Sequence, residues 1–368
     1  MKKLFACIIA MIMAVMMMNA LAFADEAFDV GIVFPTKDEP RWPKDQQFLE
    51  ESLKEAGISA TTLYSQGSSS VELTNVQALV EQGVKAILIC AQDATAAAAA
   101  AEYAHDNGVK VICYDRLITG TDAVDYYVTF EMLKVGQKQG QYLIDAYEGQ
   151  KDIPLYIYSG DVRDNNSFVF FAGGWSVLSE AIANGQFKLA NCEEAEEYVG
   201  QILDVNENHE DLNKIMATCT TNWDVNFAKS LAEANLIAAD ADMKGDVAIL
   251  APNDFTSRAI ADAFLDDADI NSYVISGQDC EAASLSYIIQ GKQSMTVWKD
   301  TTKLGEQAAV MVGDILAGRE PEQNATYNTG VIEVPTYECE TQVIDINNYK
   351  EPVEAGFIDA SEVDGYKE

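Results

Sequence analysis

The chain has 368 residues, with 24 lysines and arginines against 59 aspartates and glutamates, for a formal net charge of −35. A surface this acidic repels phosphate and excludes a nucleic-acid partner. Only two histidines, His105 and His209, and no C-x-x-C pair leave a zinc site or histidine-based catalysis poorly supplied, so no metal and no cofactor is expected.

Residues 1–24 read as a signal peptide. Lys2 and Lys3 precede the apolar run "LFACIIAMIMAVMMM", and Ala22-Phe23-Ala24 fits an A-x-A cleavage site. Losing those two lysines takes the net charge to −37. Cys7 lies near the start of the apolar run rather than after it, the wrong place for a lipobox cysteine. No later segment is apolar enough to span a bilayer. The expectation is an exported protein, periplasmic or on the outer cell surface, with no membrane insertion after cleavage. The remaining length suits two domains rather than one.

From there strands and helices alternate. Strand patterns cover 29–35, 58–65, 85–91, 110–115 and 126–130, with helical patterns at 45–57, 68–83 and 93–108 between the first four. Serines open the second of these helices, and Gly57, Gly83 and Gly108 close the three. The rhythm restarts with a helix at 132–147, a strand at 154–160, a helix over most of 166–185 and a short strand at 187–192. An acidic, poorly patterned segment follows from about Glu193 to Thr221. Strands at 246–254, 272–279 and 293–300 then alternate with helices beginning near Asp224, Phe255, Ala282 and Thr302. Extended runs at 330–336 and 341–347 end the pattern. Short apolar β-branched runs separated by helices imply parallel sheets covered on both faces, here in two doubly wound α/β units.

Doubly wound sheets bind ligands beyond the carboxyl ends of their strands. Six such ends are polar in the same way: "EPRWPKD" with Arg41, Trp42 and Lys44; Asp115-Arg116; "GDVRDNN" with Asn165 and Asn166; Asn253-Asp254; Gln278-Asp279; and Trp298-Lys299. Carboxylates, amides, cations and indoles suit a sugar, whose hydroxyls both donate and accept while its C–H face packs on an aromatic ring. Each loop alone has a plain structural explanation, since Pro43 suits a first helical turn and Asp254 or Asp279 could serve as a helix N-cap. "DVNENHEDLNKI" at 204–215 begins like a calcium loop but carries His209 and Ile215 where glycine and glutamate belong. Cys90 and Cys113 read as buried thiols, and Cys192 and Cys219 flank the acidic segment and could close it as a loop; the spacing does not specify a pairing.

"GIVFPTKDEPRWPKDQQFL", "VKVICYDRLI", "YYVTFEMLKVGQKQGQYLID", "GDVRDNNSFVFFAG", "APNDFTSRAI", "VISGQD" and "SMTVWKD" together resemble xylose-binding and multiple-sugar-binding proteins, type I periplasmic binding proteins of sugar ABC transporters. The resemblance implies two Rossmann-like lobes joined by a three-crossing hinge, here 25–130 with 299–331 and 131–298 with 332–346, followed by a tail at 347–368. It implies a monomer that binds one monosaccharide, xylose-like, through Arg41, Trp42, Lys44, Asp115, Arg116, Asn165, Asn166, Trp223, Asn226, Asp254, Asp279 and Lys299. Of the asparagine pair, Asn166 is favoured as the inward one. The implied role is non-catalytic delivery to a membrane ABC permease by hinge closure. The alternatives are a sensor read by a chemoreceptor or kinase and, with less in its favour, an exported carbohydrate-active enzyme, which the cations beside each acid oppose by holding the acids ionised. The segment 193–221 departs from the family pattern.

Overall fold

Aliphatic and β-branched runs form two separate sheets. The computed structural model describes residues 28–367, so the expected signal peptide lies outside the described residues. The first sheet comprises β1 (Val30–Phe34), β2 (Ala60–Tyr64), β3 (Ala86–Ile89), β4 (Lys110–Tyr114), β5 (Tyr126–Phe130), β11 (Ala325–Asn328) and β12 (Glu333–Cys339). Their order is β11-β12-β5-β4-β3-β1-β2, parallel throughout except for the β11–β12 pair. The second comprises β6 (Ile153–Ile157), β7 (Phe187–Leu189), β8 (Gly245–Leu250) and β9 (Ile270–Ile275), all parallel in the order β7-β6-β8-β9. Strands β1 and β3 are buried along their whole length, as a sheet covered on both faces requires. A third pairing is antiparallel, between β10 (Met295–Lys299) and β13 (Thr341–Asp345). A bridge from Val297 to Gln278 ties β10 to the end of the second sheet.

Helices α1 (Arg41–Glu55), α2 (Ser69–Glu81) and α3 (Ala98–Asp106) belong to the first lobe. The second lobe holds α4 (Met132–Ala146), α5 (Asn165–Ala183), α6 (His209–Cys219), α7 (Val225–Ala238), α8 (Asp254–Asp266) and α9 (Ala282–Ile289). Helix α10 (Thr301–Leu316) returns to pack on α1. The chain therefore crosses between lobes at 130–132, 299–301 and 339–341. The third crossing falls later than the 331–332 boundary read from the sequence. Residues 333–339 stay in the first lobe because Thr336–Cys339 pair in parallel with Tyr127–Phe130, and only β13 lies beyond.

One carboxylate ties two of the crossings together. Glu131 accepts from Lys134 Nζ at 2.6 Å, Lys138 Nζ at 2.7 Å and the Thr341 amide at 3.2 Å, while Lys138 also donates to the Thr341 carbonyl at 2.7 Å. Burial opposes ionisation of Glu131, but the two lysines and that amide overcome it and pull its pKa down to about 2.

The acidic segment and the tail both carry structure. The segment 193–221 is not a structureless loop. It contains a 3₁₀ turn at Glu193–Tyr198 and the helix α6. Leu212, Ile215, Met216 and Cys219 recur at helical spacing and are all buried in the core beneath α5, a periodicity masked by the acidic residues around it. The Asp204-x-Asn206-x-Asn208 run is a side-chain-stabilised turn that precedes α6, in which Asp204 Oδ1 accepts from the amides of Asn206 and Glu207. The tail is also ordered. Phe357, Ile358 and Val363 pack with Leu285, Ile288 and Trp298, and Phe357 stacks on Phe48 of α1 across the hinge, with centroids 6.2 Å apart.

Helices α4 and α5 meet through glycines. A Cβ on Gly136 would lie 1.9 Å from the Phe170 carbonyl oxygen and 2.7 Å from the Gly174 nitrogen, backbone atoms that cannot step aside. Gly136→Ala is expected to destabilise the second lobe by about 3 kcal/mol, the cost of forcing backbones apart. Urea unfolding checks this, and a midpoint equal to wild type would show that the helices do not pack this closely.

Candidate functional site

The loops beyond the carboxyl ends of β1, β4, β6, β8, β9 and β10 converge between the lobes. They line one cavity with Glu39, Arg41, Trp42, Asp115, Arg116, Asp164, Asn166, Phe170, Trp223, Asn253, Gln278, Asp279 and Lys299. The side chains nearly fill it, leaving about 20 Å³ between them, room for roughly one water.

Charge pairing organises the cavity. Arg41, from the first turn of α1, is fork-bound: it pairs closely with Asp115 and reaches Asp45 at 3.2 Å and Asp279 of the opposite lobe at 3.5 Å. Lys299, at the end of β10, contacts the same Asp279 oxygen at 2.7 Å. Arg116 meets Asp164 of the opposite lobe at 3.0 Å and Glu39 at 3.6 Å. Trp42 lies under both guanidinium groups, 4.7 Å from Arg41 and 4.9 Å from Arg116, so its ring face steadies the two cations. Burial works against ionisation of Asp279, but Lys299 and Arg41 outweigh it and hold the carboxyl below its usual range. Burial raises Asp164 and Glu39, with Arg116 only partly offsetting it. The expectation that neighbouring cations favour the ionised acids thus matches the direction at Asp279 and not at those two, where burial dominates.

Backbone geometry aims these groups. Asp115, Trp223 and Asp279 have φ of 62°, 54° and 98°, a region costly for non-glycine residues and concentrated at functional sites. Trp223 folds over Gly160, where a Cβ would sit 2.2 Å from the indole, and donates Nε1–H to Asp164 at 3.2 Å. Asn166 donates to the Asp115 carbonyl at 2.8 Å, a direct bond between lobes. Arg41 Nε and Gln278 Oε1 are buried with no hydrogen-bond partner, so the cavity wall retains unused polar capacity.

Of the residues read from the sequence, Arg41, Trp42, Asp115, Arg116, Asn166, Trp223, Asp279 and Lys299 line the cavity. Four do not. Lys44 points away along α1 and donates to the Phe357 carbonyl at 2.7 Å, so its cation binds the tail. Asn165 faces two other grooves, each lined by both lobes, because successive helical residues diverge by about 100°. Asn226 is exposed on α7. Asp254 is fully buried behind the cavity, accepting from Gln293 at 2.7 Å, the Glu281 amide at 2.9 Å and Thr296 at 3.0 Å. Asn253, one residue earlier, caps α8 and reaches the cavity in its place. Glu39, Asp164, Phe170 and Gln278 were also passed over, although Asp164 and Gln278 belong to the same polar strand-end loops and Glu39 to the first of them.

A model described as a periplasmic binding protein domain matches residues 30–320. The chain belongs to this family. The multiple sugar-binding periplasmic receptor ChvE of Rhizobium radiobacter is 31% identical over 99% of this chain and 100% of its own. The D-xylose-binding periplasmic protein of Escherichia coli is 26% identical over 95% of this chain and 96% of its own. The solved carbohydrate transporter solute binding protein of Chloroflexus aurantiacus, in complex with D-glucose, shares 48% identity and a TM-score of 0.89, covering 92% of this chain and 99% of that chain. The cavity lies between two α/β lobes. Among the described residues no cluster of His, Cys, Asp or Glu is arranged to hold a metal, and no helix is long and apolar enough to cross a membrane.

Burial raises the Asp254 carboxyl from 3.8 to about 8. The folded state then keeps a proton that the unfolded chain loses near pH 4, so this group's contribution to stability falls as pH rises toward 8. The slope is at most about 1.4 kcal/mol per pH unit. Unfolding in urea at pH 5 and pH 8 should show wild type losing stability over that interval and Asp254→Asn losing distinctly less. An unchanged slope in the variant would show that Asp254 does not titrate there.

Proposed function

We propose that this periplasmic binding protein captures one aldopyranose outside the cytoplasm and delivers it, without catalysis, to a membrane ABC permease. The observation that carries the reading is the composition of the cavity wall. Asp115, Arg41 and Trp42 come from one lobe, and Asn166, Trp223, Asn253 and Asp279 come from the other. Each sugar hydroxyl can give its proton to a carboxylate and accept from a guanidinium, ammonium or amide. Trp223, Phe170 and Trp42 offer aromatic surface for the C–H face.

The ion pairs that bridge the lobes stand where the sugar would lie. The sugar-free protein also opens at the three crossings; a pyranose enters that open form, and on closure Arg41 exchanges its contact with Asp279 for ring oxygens and hydroxyls. Closure then restores a full set of partners to every buried charge. Because the sugar touches both lobes only in the closed form, it shifts the population toward closure. The D-glucose bound to the relative at 48% identity supports glucose as the first ligand to test, with D-xylose next on the strength of the xylose-binding relative. The extracytoplasmic setting of the relatives supports export.

Calorimetry across pentoses and hexoses tests this directly. One aldopyranose is expected to bind with micromolar or tighter Kd and to emerge chemically unchanged; failure of every monosaccharide to bind would sink the reading. Asp279→Ala should weaken binding by about 2–5 kcal/mol, since it strands Arg41 and Lys299. Lys44→Met, by contrast, should leave Kd within about threefold while lowering the melting temperature, because it removes a bond to the tail worth about 1.5–3 kcal/mol. A large loss of affinity in Lys44→Met with stability intact would return that lysine to the site.

A further inference from the structure

The segment that the function does not use carries two cysteines at its ends. Cys192 precedes the 3₁₀ turn, and Cys219 is the last residue of α6. Both are buried in the second-lobe core. Their sulfurs converge on one acceptor, the Ile215 carbonyl oxygen, at 3.9 Å and 3.7 Å. Two thiols that face one carbonyl oxygen from the two ends of a segment are candidates for a crosslink. The other described cysteines have no such neighbour. Cys113 and Cys280 lie in separate core clusters, while Cys90 follows β3 and Cys339 ends β12, with β4 and β5 between those strands.

We propose that Cys192 and Cys219 form a disulfide that closes residues 193–218 into a covalent loop in the folded, exported protein. The oxidant is a disulfide compound, such as oxidised glutathione or an oxidised thiol–disulfide oxidoreductase. The Cys192 thiolate attacks one of its sulfurs, forming a mixed disulfide and releasing one thiolate. The Cys219 thiolate then attacks the Cys192 sulfur and releases the second. Two protein thiols are oxidised, one external disulfide is reduced to two thiols, and the two protons pass to the leaving thiolates. Cys192 is the better first nucleophile. The neighbouring Cys219 and Thr218 side chains hold its pKa below the usual thiol value, while the Cys219 thiol is pushed up by the neighbouring Cys192 and by burial.

The crosslink would brace more than the acidic segment. Ser159 donates its amide to the Cys219 carbonyl at 2.9 Å, and Thr221 donates back to the Ser159 carbonyl at 2.8 Å. Trp223 enters the cavity two residues later, over Gly160. Fixing Cys219 therefore fixes the root of the loop that carries a cavity wall. Without the bond, the only ties on residues 193–218 are packing and hydrogen bonds such as Trp175 Nε1 to the Gln201 carbonyl at 3.1 Å and the Gly200 amide to Ser179 at 2.7 Å.

The test is refolding of the full chain with oxidised and reduced glutathione, then denaturation, alkylation and peptide mapping. The expected result is a linked peptide pair containing Cys192 and Cys219, lighter by two hydrogens than the separate peptides, with Cys90, Cys113, Cys280 and Cys339 all alkylated. Reductant should lower the melting temperature of the oxidised protein by about 5 °C and leave that of Cys192→Ser unchanged. Alkylation of both Cys192 and Cys219 after oxidative refolding, or a link to a different cysteine, would overturn the proposal. Because the mapping needs neither sugar nor export, its outcome is independent of the functional reading.

Discussion

Buried charge is the constraint on which the rest of the structure depends. A chain with a net charge of −35 places Arg41, Arg116 and Lys299, all nearly inaccessible, in the space between its lobes. Unpaired, each would cost several kcal/mol of desolvation. The carboxylates that pair them come from both lobes, so satisfying the cations and closing the lobes are one event. The same pairing makes the site suited to sugars. A neutral polyol can replace a carboxylate–guanidinium contact on both sides at once, because each hydroxyl has a proton to give and lone pairs to offer. A charged ligand would leave one side of that wall repelled, and an apolar one would leave both sides stranded.

The scaffold supplies the geometry that this exchange needs. Doubly wound sheets bring strand ends together at one rim of each lobe, and the three crossings hold the rims face to face. Glu131, Lys138 and Thr341 bind two of those crossings into one unit. The tail adds a third constraint at the edge of the hinge, with Phe357 packed on Trp298 and stacked on Phe48 while Lys44 holds its carbonyl. Opening must therefore bend around fixed crossings rather than slide the lobes apart.

The fold and most of the cavity wall were legible in the sequence because both rest on local rules. Apolar runs four to seven residues long mark buried parallel strands, and polar residues at their ends mark the rim. What was not legible depends on side-chain direction. Asn253 and Asp254 are adjacent, equally polar and equally good at a helix start, yet only the first reaches the cavity while the second is buried among Gln293, Thr296 and the Glu281 amide. Lys44 follows Arg41 by one helical turn, but its partner, Phe357, is more than three hundred residues away in sequence. Strand β12 lies in the first sheet because of pairing with β5, a long-range register that no local pattern encodes. The helix α6 was readable from Leu212, Ile215, Met216 and Cys219, and its acidic surroundings hid it.

The central claim is that a sugar replaces the charge contacts between the lobes and thereby holds them closed. Small-angle X-ray scattering with and without D-glucose, the ligand of the relative at 48% identity, tests it most directly. The account predicts a smaller radius of gyration at saturating sugar, abolished in Asp279→Ala. Calorimetrically confirmed binding with an unchanged radius of gyration would contradict it.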